Sequence, residues 1–348
     1  MKRDLFFDFV KIISMFVIAA VHFFDVPYSY VGGSIALLTF AFSSAYLLTK
    51  NNDREIKLYT YFKNKIIRIY SKIIIVFIFL AGLFYFSGIK FTIGNILQNF
   101  FLISGIYNFI NKPTEGPFGA GIWFITLLFI FYLVFPTLNR LFVNFGKNKV
   151  KQILFTLSCL FVLVIASKTL ETSGISLYQT SFGFILGVYA AKNKNYFGKN
   201  AIKPLMGSVA TILFAFLFNF VLNIKMLNFI FIISLFHFGI KFIERMFELV
   251  RDNKIIINNV NKLKDILMEF YLIVGYMDWL LINKFVTVLN LSVTAKNGVI
   301  AQYPVNSITI LLFLMTVILA VLISFVLYRL SKYSKILLEK TFALFEKN

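Results

Sequence analysis

Lys and Arg occupy every second gap between about ten long apolar runs of this 348-residue chain. No other feature limits its fold so strongly. A helix needs roughly 20 apolar residues to cross bilayer hydrocarbon, and basic residues stay on the cytoplasmic side. The chain is 59% apolar with 45 Phe, which leaves no aqueous domain of useful size to be hidden in it. The expectation is an all-α, polytopic membrane helix bundle of about ten transmembrane helices, with residues 1–348 forming a single integral-membrane domain.

The expected spans are 6–24, 31–48, 70–88, 122–141, 153–167, 177–190, 204–222, 226–239, 266–282 and 308–327. An even number puts both termini on one side. Counting alternate gaps, both ends and the span-end residues Lys72 and Arg140, that side holds 28 of the 35 basic residues, and the opposite side holds only Lys90, Lys112, Lys168, Lys225, Lys284 and Lys296. The asymmetry implies a multi-pass protein with both termini cytoplasmic. The segment 91–110 is apolar enough to span, but it carries Asn95, Gln98, Asn99 and Ser104. If it spanned, every later loop would invert, so it reads as interfacial or re-entrant on the outer face.

The net charge of +20 follows from this topology and from attraction to anionic lipid head groups, so membrane lipids are expected partners and nucleic acid is not. Lys2 and Arg3 precede an apolar run as in a signal peptide, yet Asp8 and Lys11 interrupt it. The expectation is an uncleaved anchor. Cys159 is the single cysteine, so no internal disulfide forms. The richness in Phe, Ile, Lys and Asn hints at an AT-rich bacterial genome.

A charged side chain at mid-bilayer costs roughly 2.5–3.5 kcal/mol on insertion scales and is a functional hypothesis by default. The first span contains Asp8, Lys11 and His22. Eleven residues correspond to about 1100° of helix rotation, so Lys11 and His22 lie about 20° from a common face and roughly 16 Å apart along the axis. Asp8 lies on a neighbouring face. Imidazole, with an unperturbed pKa of about 6.5, can take a proton from a hydroxyl and return it to a leaving group. The competing reading is that Lys11 snorkels and His22 packs. His237, the only other histidine, reads as structural. Asp278, inside the ninth span, is a polar helix partner or an acceptor for a substrate hydroxyl; Glu269, nearer that span's cytoplasmic end, reads as interfacial. Lys65, Arg68 and Lys72 recur at i, i+3 and i+7 and form one basic helical face, which suits the phosphates of a nucleotide or of anionic lipid. No metal is expected.

With these residues in place the chain resembles the integral-membrane acyltransferase family (acyltransferase family three) that O-acetylates bacterial surface polysaccharides. FDFVKIISMFVIAAVHFF is similar to the family's first-helix pattern of Asp, Arg and His, with Asp8, Lys11 in the Arg position and His22. LLTFAFSSAYLLTK, YFKNKIIRIYSKII, GIWFITLLFIFYLVFP and LYQTSFGFILGVYAAK resemble four later segments in order. The third of these carries Trp123, Phe124, Leu128, Tyr132, Leu133 and Pro136. The sequence departs from the family where Gly121-Ile122 replaces a His before the Trp, and where Gly275 or Tyr276 stands in place of a later His.

The resemblance implies an enzyme of the bacterial cell membrane. It would transfer an acetyl or other acyl group from cytoplasmic acetyl-CoA (acyl-CoA) to a hydroxyl of a cell-surface glycan or lipid-linked sugar, as in exopolysaccharide or capsule O-acetylation. His22 would then be catalytic as general base or acyl carrier, supported by Lys11 and Asp8. Lys65, Arg68 and Lys72 would bind the donor, and Trp123 and Asp278 the acceptor. The alternative is a polysaccharide precursor transporter or flippase without transfer activity, although the internal repeats typical of transporters are not found. The topology makes a direct prediction. In a Cys159→Ser background, Lys57→Cys and Lys147→Cys label only from the cytoplasm and Lys112→Cys only from outside; external labelling at 147 would reverse the model from the fourth span onward.

Overall fold

The structure is a computed structural model and describes residues 5–27, 29–52, 56–109, 118, 121–146, 148–169, 175–193, 227–289, 295–297 and 300–345. The long helices in chain order are α1 (Leu5–Phe23), α2 (Ser29–Asn51) and α3 (Leu58–Phe86). Two short helices follow, α4 (Ile93–Phe100) and α5 (Ile103–Phe109), then α6 (Ile122–Asn144), α7 (Lys149–Thr169) and α8 (Ile175–Lys192). The last three are α9 (Leu227–Val250), α10 (Lys254–Leu289) and α11 (Ser307–Phe345). A hairpin of three-residue strands, β1 (Ala295–Asn297) and β2 (Ile300–Gln302), pairs antiparallel between α10 and α11. The architecture is therefore helical apart from one small hairpin among the described residues.

Among the described residues, five helices are long and apolar enough to cross a membrane: α1, α2 from Val31, α3, α6 and α11. The expected run 204–222 lies outside the described residues; the other nine runs each fall on a helix. Several helices outrun the apolar stretch that marks them. α3 starts at Leu58, so the basic stretch before residue 70 belongs to the same helix. Lys and Arg are good helix formers and keep their charged heads in water while their stems lie on apolar surface. α10 has 36 residues, about 54 Å at 1.5 Å per residue, and so exceeds the hydrocarbon thickness.

The segment 91–110 breaks into α4 and α5. Thr92 and Asn95 cap α4 reciprocally, each side chain accepting the other's backbone N–H, at 3.1 and 3.0 Å. Leu102, with φ +61°, ends the helical path between the two. Eight residues of α4 rise only about 12 Å, so neither piece can span. α5 rests on α6 through Gly105, where a Cβ would overlap the Thr126 side chain. The Thr126 hydroxyl donates to Leu102 O at 3.3 Å.

The chain gathers into two compact units. One holds α2, α7, α8, α9, the start of α1, the end of α6 and the first turns of α10. Its core joins Phe7, Phe42 and Phe236, with Phe7 and Phe42 rings 6.3 Å apart and Phe42 and Phe236 rings 5.2 Å apart. In this unit α8 lies directly on α2. A Cβ at Gly183 would stand 2.7 Å from Leu38 O, and one at Gly187 would overlap the Phe42 carbonyl. Small residues four apart allow close backbone approach, which drives helix association where lipid supplies no hydrophobic force. The other unit holds α3, α4, α5, α11, the hairpin, the end of α1, the start of α6 and the rest of α10. Its aromatic centre is Phe84, whose ring meets Phe118 at 5.0 Å and Tyr276 at 5.4 Å.

Gly187→Ala therefore unseats α8 from α2 and lowers the thermal midpoint of the purified protein, whereas Gly82→Ala, with nothing within 4 Å of its new Cβ, leaves it unchanged or raised. Equal midpoints for the two variants would dismiss the close-packed α2–α8 contact.

Candidate functional site

α1 is one unbroken helix, so Asp8, Lys11 and His22 sit on a single rod. Asp8 is buried at 1% exposure. Lys11 is half-buried, with its ammonium 5.6 Å from the centroid of the Phe40 ring, a distance at which the ring face attracts a cation. His22 is on the last turn and its side chain is exposed.

The last turn of a helix leaves carbonyls without intrahelical partners, and here the chain before α11 supplies them. Val21 O accepts from Gln302 Nε2 at 3.0 Å. Phe23 O accepts from Tyr303 N at 3.0 Å, and Tyr303 O accepts from Asp25 N at 2.9 Å. The Tyr303 ring is buried at 2% exposure, 5.3 Å from the Phe23 ring, and packs with Leu312 and Phe313. Two consecutive residues, the last of β2 and the one after it, thus grip the residues on either side of His22. Nothing in the sequence reading pointed to it; Gln302 carries no motif.

The basic face of α3 divides by environment. Arg68 is exposed and Lys65 half-buried. The Lys65 ammonium lies 4.7 Å from the Tyr132 ring centroid and 5.4 Å from that of Tyr61, and the Tyr61 hydroxyl donates to Tyr132 O at 3.2 Å. Lys72 turns to a different set of partners. Its ammonium donates to both oxygens of Glu269, at 2.6 and 2.8 Å, and to Asp265 O at 2.9 Å. Ser331 of α11 donates to Glu269 Oε1 at 3.3 Å. Glu269 is fully buried, which corrects the interfacial reading of that residue: a carboxylate with an ammonium and a hydroxyl as donors can leave water. The pair ties α3, α10 and α11 together.

Trp123 is half-buried on the first turn of α6. That turn is set by Gly121, at φ +88°, whose carbonyl accepts from the Tyr271 hydroxyl at 3.0 Å. Asp278 lies on α10, but its side chain is outside the described residues. His237 is half-buried on α9.

A family model described as an acyltransferase domain matches residues 4–329. No curated protein and no solved structure matches the chain.

Removing one partner of a buried ion pair costs about 3–5 kcal/mol, while replacing both by apolar groups is often neutral. Lys72→Met should therefore lower the thermal midpoint sharply, and Lys72→Met combined with Glu269→Leu should recover most of the loss. A double variant as unstable as the single would mean that the pair does not act as a unit.

Proposed function

The chain belongs to acyltransferase family 3, whose model covers residues 4–329, and on that premise we propose that this multi-pass membrane acyltransferase moves an acetyl group from cytoplasmic acetyl-CoA to a hydroxyl of a cell-surface glycan or lipid-linked sugar. Both termini are cytoplasmic in this reading, and the membrane is the bacterial cell membrane. The observation that carries it is His22: an exposed imidazole at the held end of a helix that also bears Asp8 and Lys11.

His22 is the general base. It takes the proton of the acceptor hydroxyl as that oxygen bonds to the thioester carbonyl carbon. The carbon–sulfur bond then breaks, and the proton passes to the leaving thiolate. Lys65 and Arg68 bind the donor's phosphates. Arg68 is exposed and offers a planar fork, while Lys65 is held between tyrosine faces as a point charge. Lys72 acts one step back, fixing α3 through Glu269. Trp123 and Asp278 are assigned to the acceptor.

Glycan mass spectrometry of a deletion strain tests the reaction through loss of the acetyl increment. His22→Ala should reduce transfer by roughly 10²–10⁴, the range ascribed to general acid–base catalysis, with expression unchanged, while His237→Ala keeps most activity. Arg68→Ala should raise the KM for acetyl-CoA in the inserted protein. Near-normal transfer by His22→Ala would sink the mechanism and bring the transporter reading forward.

A further inference from the structure

We infer that Gln302 and Tyr303 form a clamp that positions His22, with Gln302 as a positioning residue for acyl transfer; the inference rests on the general-base reading of His22. The starting point is the location of His22 on the terminal turn of α1, where carbonyls lack helical partners. A base at the end of a helix that frays has no fixed aim. Here the turn is held from outside itself. Ala20 O accepts from Phe24 N at 2.9 Å within the chain's own path, while Val21 O and Phe23 O, on either side of His22, accept from Gln302 and Tyr303.

The clamp is itself anchored. Tyr303 is inserted among Phe23, Leu312 and Phe313, and the next residues start α11 through a reciprocal cap. Asn306 Oδ1 accepts from Thr309 N at 2.9 Å, and Thr309 Oγ1 accepts from Asn306 N at 3.0 Å. The same Thr309 hydroxyl donates to Pro304 O at 2.7 Å. On the other side Gln302 closes the hairpin register opposite Ala295. Position is thus passed from the start of α11 through Pro304, Tyr303 and Gln302 to the two peptide units that flank His22. The grip falls on backbone carbonyls and leaves the imidazole exposed. A displacement of about 1 Å in a reacting group can cost roughly 10²-fold in rate, so a backbone clamp at this point acts on turnover and not on donor affinity.

The test uses the full-length protein in lipid nanodiscs carrying His237→Gln, which makes His22 the sole histidine. Gln302→Glu keeps the side-chain size but lacks the N–H that Val21 O accepts; Gln302→Ala removes the side chain. Two quantities are read: the rate at which diethylpyrocarbonate modifies His22, followed by ultraviolet difference absorbance, and kcat and KM for transfer from radiolabelled acetyl-CoA to the membrane glycan fraction. Expected for both variants is a several-fold change in the modification rate, with kcat down roughly ten- to hundred-fold and an unchanged KM for acetyl-CoA. A changed modification rate with normal kcat would support the clamp and overturn the general-base role of His22. An unchanged modification rate in both variants, whatever kcat does, would overturn the clamp.

Discussion

Hydrocarbon offers a backbone amide or carbonyl no partner, so a spanning segment must satisfy its own polar groups, and only helices or closed barrels do so. That constraint turns the apolar runs of this chain into helices and makes every helix end a place where something else must act. At the end of α1 the carbonyls of Val21 and Phe23 are met by Gln302 and Tyr303. At the start of α4 the amides are met by the Thr92 and Asn95 side chains. Where α5 approaches α6, the Leu102 carbonyl between helices is met by Thr126. At these three places the irregular backbone is satisfied by a distant segment, a local cap or a neighbouring helix's hydroxyl.

The same economy governs charge. An ammonium and a carboxylate leave water only together, and Lys72 with Glu269 do so where α3, α10 and α11 meet. Lys65 is half-buried against the rings of Tyr61 and Tyr132, a weaker attraction that keeps the cation without neutralising it. One helix face thus carries three cations with different prospects. Lys72 is committed to a carboxylate, Lys65 is shielded by aromatic rings, and Arg68 is exposed. In the proposed mechanism an incoming phosphate therefore meets the last two, and the first belongs to the scaffold.

The sequence made legible whatever depends on local pattern. Apolar runs with basic gaps marked the helices, Asn95, Gln98 and Asn99 marked a segment that breaks into α4 and α5, and the first apolar run put Lys11 and His22 on one helix. It was silent on features that need a partner far along the chain. Lys72 and Glu269 are 197 residues apart, and Gln302 lies 281 residues from Val21. No periodicity encodes such pairings, so Glu269 looked interfacial and Gln302 had no visible role. Gly183 and Gly187 were present as a small-residue pair, but only the α2 carbonyls of Leu38 and Phe42 explain why a Cβ is excluded there. The helices also run past the expected spans, because apolarity locates the membrane-crossing part of a helix and not its charged extensions, as at the start of α3.

The length of α1 limits what Lys11 can do for His22. The two are roughly 16 Å apart by helix rise. Two unit charges at that distance interact by only about 1 kcal/mol at an effective dielectric of about 20. Such a term falls short of the effect of a contacting partner. In the proposed mechanism Lys11 instead acts along the path between a cytoplasmic donor and the outer end of the helix. Its ammonium lies 5.6 Å from the centroid of the Phe40 ring, within reach of a cation–ring attraction. A lysine in this place is a point charge and lacks the planar fork of arginine. In the proposed mechanism electrostatic help at Lys11 and proton transfer at His22 are therefore separate tasks, joined by one continuous helix whose far end is fixed by Gln302 and Tyr303.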